Sequence, residues 1–485
     1  MDGLLEASIA ELQTRMARGE ITSLDLVRAY LARIEAYDQK GPTLNAVNAI
    51  NPDALEIAAA LDAERAERGP RGPLHGIPII VKDNYETTEM ETSAGSNVLR
   101  GWISPHDAFL VTRLREAGAV ILAKATMHEF AYGITNIGSR FGFTRNPYQL
   151  DRVPGGSSGG TGVAVAANFA AAGMGSDTCG SIRIPAALNN LVGLRATQGL
   201  LSRTGIVPLS STQDVGGPLA RSVADLALMM DALVGYDPKD PQTARGVGRA
   251  PESYADALNA VGLESVRLGL VTELLSDAPE GRVISRVVER TVSELQRDGA
   301  EVVEVVVPGM KELISDRTGG YLVSIGDFEP DLDRYLGQHP TAPVRSFDEI
   351  LASGRVHPEV AAELAEVATV SSESKEYLEH LARREKLATA ILATMADHAL
   401  DALVYPTMRH QTVRIGEEQT GNNCHLSANS GLPAISVAAG LGDDGVPVGI
   451  EFLGRPWSES LLLGLAYAYE QANDHRRPPA STPVL

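Results

Sequence analysis

Two glycine-rich, serine-bearing segments and one upstream lysine carry the residue types for nucleophilic chemistry. The first segment is Pro154-Gly155-Gly156-Ser157-Ser158-Gly159-Gly160-Thr161-Gly162, and the second is Ser176-Asp177-Thr178-Cys179-Gly180-Ser181-Ile182-Arg183-Ile184-Pro185-Ala186. Glycine at this density frees the backbone to take positive φ and lets other groups approach its N–H atoms. The intervening run, Val163 to Gly175, is built of small residues. It permits a tightly packed buried helix that brings both hydroxyls to one place. A serine hydroxyl attacks poorly unless a base stands beside it. The apolar run Ile77 to Val81 reads as a buried strand closing on Lys82-Asp83-Asn84. Lysine serves as a base only when neutral, a state that burial favours. Taken alone, Lys82 reads as a surface lysine; its register with the serine loops argues otherwise.

Other chemistries fit these loops less well. A phosphate-binding P-loop needs Lys directly after its last glycine, and the chain has no Gly-Lys pair. A dinucleotide fingerprint through Gly173 and Gly175 needs a third glycine where Thr178 stands. A flexible Gly-Ser linker would not carry apolar residues between its polar stretches. Gly155 to Gly159 matches the G-x-S-x-G nucleophile elbow, but Arg145 to Arg152 before it is polar and proline-bearing where a strand is required. The later partner of that elbow would have to be His425. Ser372-x-x-Lys375 matches a β-lactamase pattern without its companion motifs and falls on a charged helical stretch.

Ser157 in G-G-S-S-G-G, Ser181 in D-T-x-G-S-I-R-x-P-A 24 residues later, and Lys82 75 residues upstream together resemble the amidase signature family. Thr92-Ser93-Ala94-Gly95-Ser96, Arg145-Asn146-Pro147 and Val192-Gly193-Leu194-Arg195 agree with it, and the similarity runs from about residue 5 to residue 480. The resemblance implies an α/β fold, the amidase-signature fold, with a central mixed β-sheet covered on both faces by α-helices. It implies a Ser-cisSer-Lys triad in which Ser181 is the nucleophile and Ser157, in a cis peptide, bridges to the base Lys82. The backbone N–H groups of Thr178, Cys179, Gly180 and Ser181 are then the candidates for an oxyanion hole, with Cys179 where the family often has glycine. Ser158, Asp177 and Arg183 are implied as loop supports, and Met127, Tyr132 and Gly133 as neighbours of the acyl pocket.

The implied enzyme is an amidohydrolase. It cleaves the C–N bond of a small linear aryl or alkyl amide through an acyl-enzyme, giving a carboxylic acid and ammonia or an amine, with no metal or cofactor. Carbamates and urea-type, allophanate-like substrates use the same chemistry. The glutaminase (A) subunit of a tRNA-dependent amidotransferase is a further alternative. Against it stands Ile184-Pro185-Ala186-Ala187-Leu188-Asn189-Asn190, where that glutaminase is expected to differ before Pro and to carry an aromatic-Cys pair. A catalytically silent binding module is the alternative from another class, and the presence of all three chemical residues argues against it.

The elements that must position these residues alternate helix and strand. Ser8 and Glu11 form a capping box, Gly19 ends that helix, and Thr22 or Ser23 starts the next. A helix from Phe109 to Ala117 leads into a strand from Ala119 to Ala123. The same order recurs at Val283–Gln296 with Ala300–Val307 and at Glu376–Ala396 with Leu400–Tyr405. Ala434–Ala439 and Val448–Leu453 flank Asp443-Asp444-Gly445, a hairpin signal. No internal repeat or low-complexity linker divides the chain. One domain, 1–485, is expected, with N-terminal helices at 1–60, the signature core at 61–235 and a helical, pocket-covering excursion at 310–418.

The whole-chain balance agrees with a soluble enzyme. The 485 residues carry 42 Lys+Arg against 62 Asp+Glu, a formal charge of −20, with 44% hydrophobic and 21% charged residues. Such acidity disfavours nucleic acid and anionic membrane surfaces as partners, leaving a small-molecule amide and a homodimer at most. Met1 to Gln13 carries acids where a secretory signal needs basic residues, and no apolar run approaches the ~18 residues of a membrane span. A cytoplasmic location is expected. Cys179 and Cys424 lack metal-ligand spacing and are expected as reduced thiols.

Overall fold

The computed structural model describes residues 3–314 and 321–485. Thirteen strands are present among the described residues: β1 (Val47–Ile50), β2 (Pro78–Lys82), β3 (Val120–Ala125), β4 (Ile137–Gly138), β5 (Gly142–Phe143), β6 (Ala172–Asp177), β7 (Val192–Arg195), β8 (Val215–Ala220), β9 (Arg267–Val271), β10 (Glu301–Val305), β11 (Ala402–Pro406), β12 (Ala434–Leu441) and β13 (Pro447–Leu453). Eleven of them form one sheet in the order β1-β3-β2-β6-β8-β7-β12-β13-β11-β9-β10, and β4 and β5 pair separately. The sheet is mixed. β2 runs parallel to both β3 and β6, whereas β8 is antiparallel to β6 and β7.

Every residue of β2, β3, β6 and β8 is buried. Successive strand side chains point to opposite faces, so full burial means that this part of the sheet is covered on both sides. That explains the apolar run at Ile77 to Val81, which has no alternation. The capping box at Ser8 and Glu11 forms as its residues suggest, and a second one joins Thr22 to Asp25. The helix–strand alternations and the closing antiparallel hairpin of β12 and β13 also form.

One element differs from the sequence reading. The helix in the small-residue run spans only Gly159–Ala166, and residues from Ala172 on belong to β6. Asn168 takes a positive φ of 57° and turns the chain. Small residues then serve the strand instead, because a Cβ at Gly173 would meet Thr161 Cγ2 at 2.5 Å and Ile80 Cγ2 at 2.9 Å. Small side chains mark close approach, which a helix and a central strand need equally.

Candidate active site

Lys82 ends β2 fully buried, with Ser176 of the adjacent strand β6 beside it. Its Nζ lies 2.8 Å from Ser157 Oγ, 2.8 Å from Ser176 Oγ and 3.3 Å from the Ser176 carbonyl oxygen. Burial holds the amine far below the ordinary lysine range, at about 7, against the opposing pull of the Asp214 and Asp177 carboxylates. Three contacts suit both protonation states. A neutral amine donates two N–H groups to Ser176 and accepts the Ser157 hydroxyl proton on its lone pair.

The two serine loops meet over this amine. The Gly156–Ser157 peptide is cis. Ser157 O accepts from His128 N–H at 3.0 Å, Ser158 N–H donates to Ser181 O at 3.2 Å, and Gly159 N–H donates to Asn136 Oδ1 at 2.9 Å. Ser158 Oγ donates to Ser176 O at 3.2 Å, which ties the first loop to the strand holding the lysine contact. The fold thus sets Ser157 against Lys82 and joins its neighbour Ser158 to Ser181, although the three segments are far apart in sequence.

Asp177 organises the second loop. Its carboxylate accepts from Gly180 N–H at 2.7 Å, Ile182 N–H at 3.2 Å, Arg183 Nε at 3.1 Å and Arg195 Nη1 at 3.0 Å. Arg183 Nη1 reaches Glu451 Oε2 at 2.7 Å, and Tyr405 OH donates to the same oxygen at 2.9 Å. Two guanidinium groups against two carboxylates leave the buried cluster without net charge. Arg183 and Arg195 hold Asp177 ionised well below the usual carboxylate range despite burial. Gly180 has φ +88°, and a Cβ there would strike Ile184 Cδ1 at 2.6 Å and Cys424 Cβ at 2.8 Å. Only glycine fits this turn.

A cavity of about 1140 Å³ opens above the loop, and Thr178, Cys179, Ser181, Tyr132 and Gly133 line it. Met127 lies behind the wall, fully buried in an apolar cluster with Phe130 and Phe328. Sequence reasoning missed Ser176 and Asn84, whose Nδ2 donates to Ser176 Oγ at 3.0 Å. Ser176 is only two residues from Thr178 and on β6. A strand-end serine next to the motif was the available signal. It also missed Glu451, which gives no local signal because it arrives from β13.

The two cysteines overturn the expectation of reduced thiols: Cys179 and Cys424 form a disulfide, with Cα atoms 5.1 Å apart. Cys424 precedes the helix His425–Ser430, and Arg183 Nη2 donates to the Cys424 carbonyl at 3.4 Å, drawing that segment onto the second serine loop. A separation within ordinary disulfide range follows from this packing, and sequence spacing cannot reveal it. The two sulfurs and the His425 ring lie close as well, with ligand atoms within 4.8 Å of one another, a proximity that spacing along the chain does not show.

An eleven-stranded mixed sheet carries a buried lysine–serine cluster, and a large cavity lined by the second serine loop opens beside it. The chain belongs to the amidase family, whose model matches residues 25–463. It is 36% identical over 494 residues to a glutamyl-tRNA(Gln) amidotransferase component of Symbiobacterium thermophilum, covering 98% of this chain and 99% of the relative. It is 34% identical to a probable amidase of Arabidopsis thaliana over 98% of this chain and 91% of that one. The crystal structure of the native peptide amidase from Stenotrophomonas maltophilia superposes with a TM-score of 0.91 at 42% identity, covering 98% of this chain and 99% of that one. Among the described residues no helix is long and apolar enough to cross a membrane.

Proposed function

We propose that the chain is a stand-alone amide hydrolase that works through a Ser181 acyl-enzyme. The observation that carries this reading is the fully buried Lys82 amine, set at about 7 and bonded only to serine oxygens. Neutral Lys82 takes the Ser157 hydroxyl proton as Ser157 takes that of Ser181, and Ser181 Oγ attacks the carbonyl carbon. The oxyanion draws on backbone N–H groups of the Thr178–Ser181 turn, each worth about 3 kcal/mol in the transition state. The Gly180 N–H already serves Asp177, so Thr178, Cys179 and Ser181 are the stronger donors of the four. As the C–N bond breaks, the proton returns through Ser157 to the leaving nitrogen. Water then attacks the ester by the same relay and releases the acid.

The cavity favours an acyl group larger than a simple alkyl amide, such as a short peptide ending in an amide. Its size and the likeness to the peptide amidase support this reading. Among the described residues six glutamates line it, Glu359, Glu363, Glu366 and Glu418 among them, against Lys311 and Arg409. Such a wall repels anionic acyl groups and suits neutral or cationic ones. Free glutamine is a zwitterion of no net charge, so this wall does not set it apart from a neutral peptide amide, and it belongs in the same comparison. A screen should therefore compare neutral, cationic and anionic peptide amides with anilides, carbamates and glutamine, alongside fluorophosphonate labelling at Ser181. Turnover should be highest for neutral or cationic peptide amides. Glutaminase activity that rises on adding a partner complex would overturn the stand-alone reading, and no labelling at Ser181 would overturn the enzyme.

A further inference from the structure

We propose that reduction of the Cys179–Cys424 disulfide unmasks a Cys2His site for a thiophilic divalent cation such as Zn²⁺, and that filling it stops hydrolysis. The ligands are preassembled. Cys179 Sγ lies 3.6 Å from His425 Nδ1, and the ligand atoms of Cys179, Cys424 and His425 all lie within 4.8 Å of one another. Tetrahedral zinc with Zn–S of about 2.3 Å and Zn–N of about 2.0 Å separates a sulfur and a nitrogen by about 3.6 Å. The Cys179–His425 edge already has that length. The His425 ring is held edge-on against Tyr321, with centroids 4.7 Å apart, and Asn422 Oδ1 stands 3.0 Å from Cys424 Sγ. Cys179, His425, Asn422 and Tyr321 all line the catalytic cavity, so an ion there sits in its wall.

The chemistry balances in two steps. A dithiol or phosphine reductant supplies two electrons, the S–S bond breaks, and each sulfur takes a proton. The cation then displaces both thiol protons to solvent and binds two thiolates and the imidazole. Two free thiols also part, but the ion in addition pins both sulfurs and the His425 nitrogen to one tetrahedron with an S–S edge of about 3.8 Å. Cys179 lies two residues before Ser181 in a turn already fixed by Asp177 and by Gly180 against Cys424. Donors aimed at an oxyanion tolerate only about 0.5 Å of displacement. Metal binding and hydrolysis are therefore mutually exclusive.

The test uses the full chain, reduced anaerobically with a phosphine and desalted, and compared with the oxidised protein. Zn²⁺ is measured by equilibrium dialysis, and Co²⁺ by the thiolate charge-transfer band of a tetrahedral site. The reduced protein should bind one ion per chain and lose at least tenfold in hydrolysis of the best amide from the screen, with recovery on chelation. The oxidised protein should bind none. Cys424→Ser should not bind after reduction, and His425→Ala, which keeps the disulfide for folding, should bind at least tenfold more weakly. Equal binding by reduced and oxidised protein, or an unchanged affinity in His425→Ala, overturns the site. Binding without loss of hydrolysis overturns its opposition to catalysis. The metal measurements need no substrate, so they stand apart from the amidase reading.

Discussion

Acidification should switch this enzyme off through Lys82. An ordinary lysine titrates near 10.5, so at pH 7 only about one molecule in 3,000 would hold a neutral amine. With the value pushed down to about 7 by burial, about half of the molecules do. Burial thus supplies a base roughly a thousandfold more abundant at neutral pH. Below pH 7 the neutral fraction falls tenfold per unit and reaches about 1% at pH 5. The assay is kcat/KM for a neutral amide between pH 5 and 9, run beside the rate of fluorophosphonate labelling at Ser181. Both should decline together, by about 100-fold at pH 5. Two other groups near the cavity must be separated from this limb. His128, buried and pushed down to about 3, stays neutral throughout. Glu363 is held up at about 7 by desolvation in the cavity mouth and by Glu359, Glu366 and Glu418. Glu363→Gln should leave the labelling limb in place. A profile flat to pH 5, or a limb that moves with Glu363→Gln, would refute a neutral lysine base.

Three further outcomes follow from the same geometry. Lys82→Met should abolish turnover by several orders of magnitude while raising stability. Between about pH 7 and 10.5 the unfolded chain holds a proton that the buried amine has lost, so wild-type stability rises with pH there, and the full penalty of about 5 kcal/mol applies below pH 7. Denaturant melts should show the Met variant ahead at pH 6 and losing that lead toward pH 10; equal destabilisation at both would contradict the argument. Ser176→Ala removes an acceptor that favours the ammonium form, worth about 1.5–3 kcal/mol. It should lower kcat far more than it changes KM and shift the acid limb downward by about one unit, whereas a merely structural role would leave the limb where it is. Arg183→Met strands Glu451 in the interior, leaves Asp177 with Arg195 as its one remaining guanidinium partner, and should cost about 3–5 kcal/mol, read as a fall in the urea midpoint with an unchanged slope.

What the sequence disclosed was local or motif-borne. The capping box at Ser8, the helix start at Thr22 or Ser23, the apolar strand before Lys82 and the β12–β13 hairpin announce themselves because their signals lie within a few residues. The serine loops were legible from glycine density and spacing. What stayed hidden depends on contacts across the fold. The disulfide joins positions 245 residues apart, Glu451 meets Arg183 across 268, and Ser176 matters only because β6 lies beside β2. The small-residue run misled for a related reason: Gly173 is small to admit Thr161 and Ile80, and smallness alone does not choose helix or strand.

The proposed mechanism makes a base of one of two buried lysines, and the fold separates them. Lys82 and Lys124 sit on adjacent parallel strands, and both amines are lowered by burial. Lys124 lies 3.6 Å from Asp83 Oδ1 and donates to the carbonyls of Tyr85 and Glu91, at 2.6 and 3.0 Å. Among the described residues Lys82 hydrogen-bonds only to serine oxygens. The difference comes from strand alternation: Val81 is in register with Lys124, so Asp83, two residues on, shares that face, while Lys82 points to the other. Adjacent positions in one sequence thus send a carboxylate to one lysine and withhold it from its neighbour. A register slip of a single residue in β2 would exchange the faces, turning Lys82 away from Ser157 and setting the Asp83 carboxylate in its place. The basicity of this site is therefore fixed by the pairing of β2 with β3 as much as by the serines themselves.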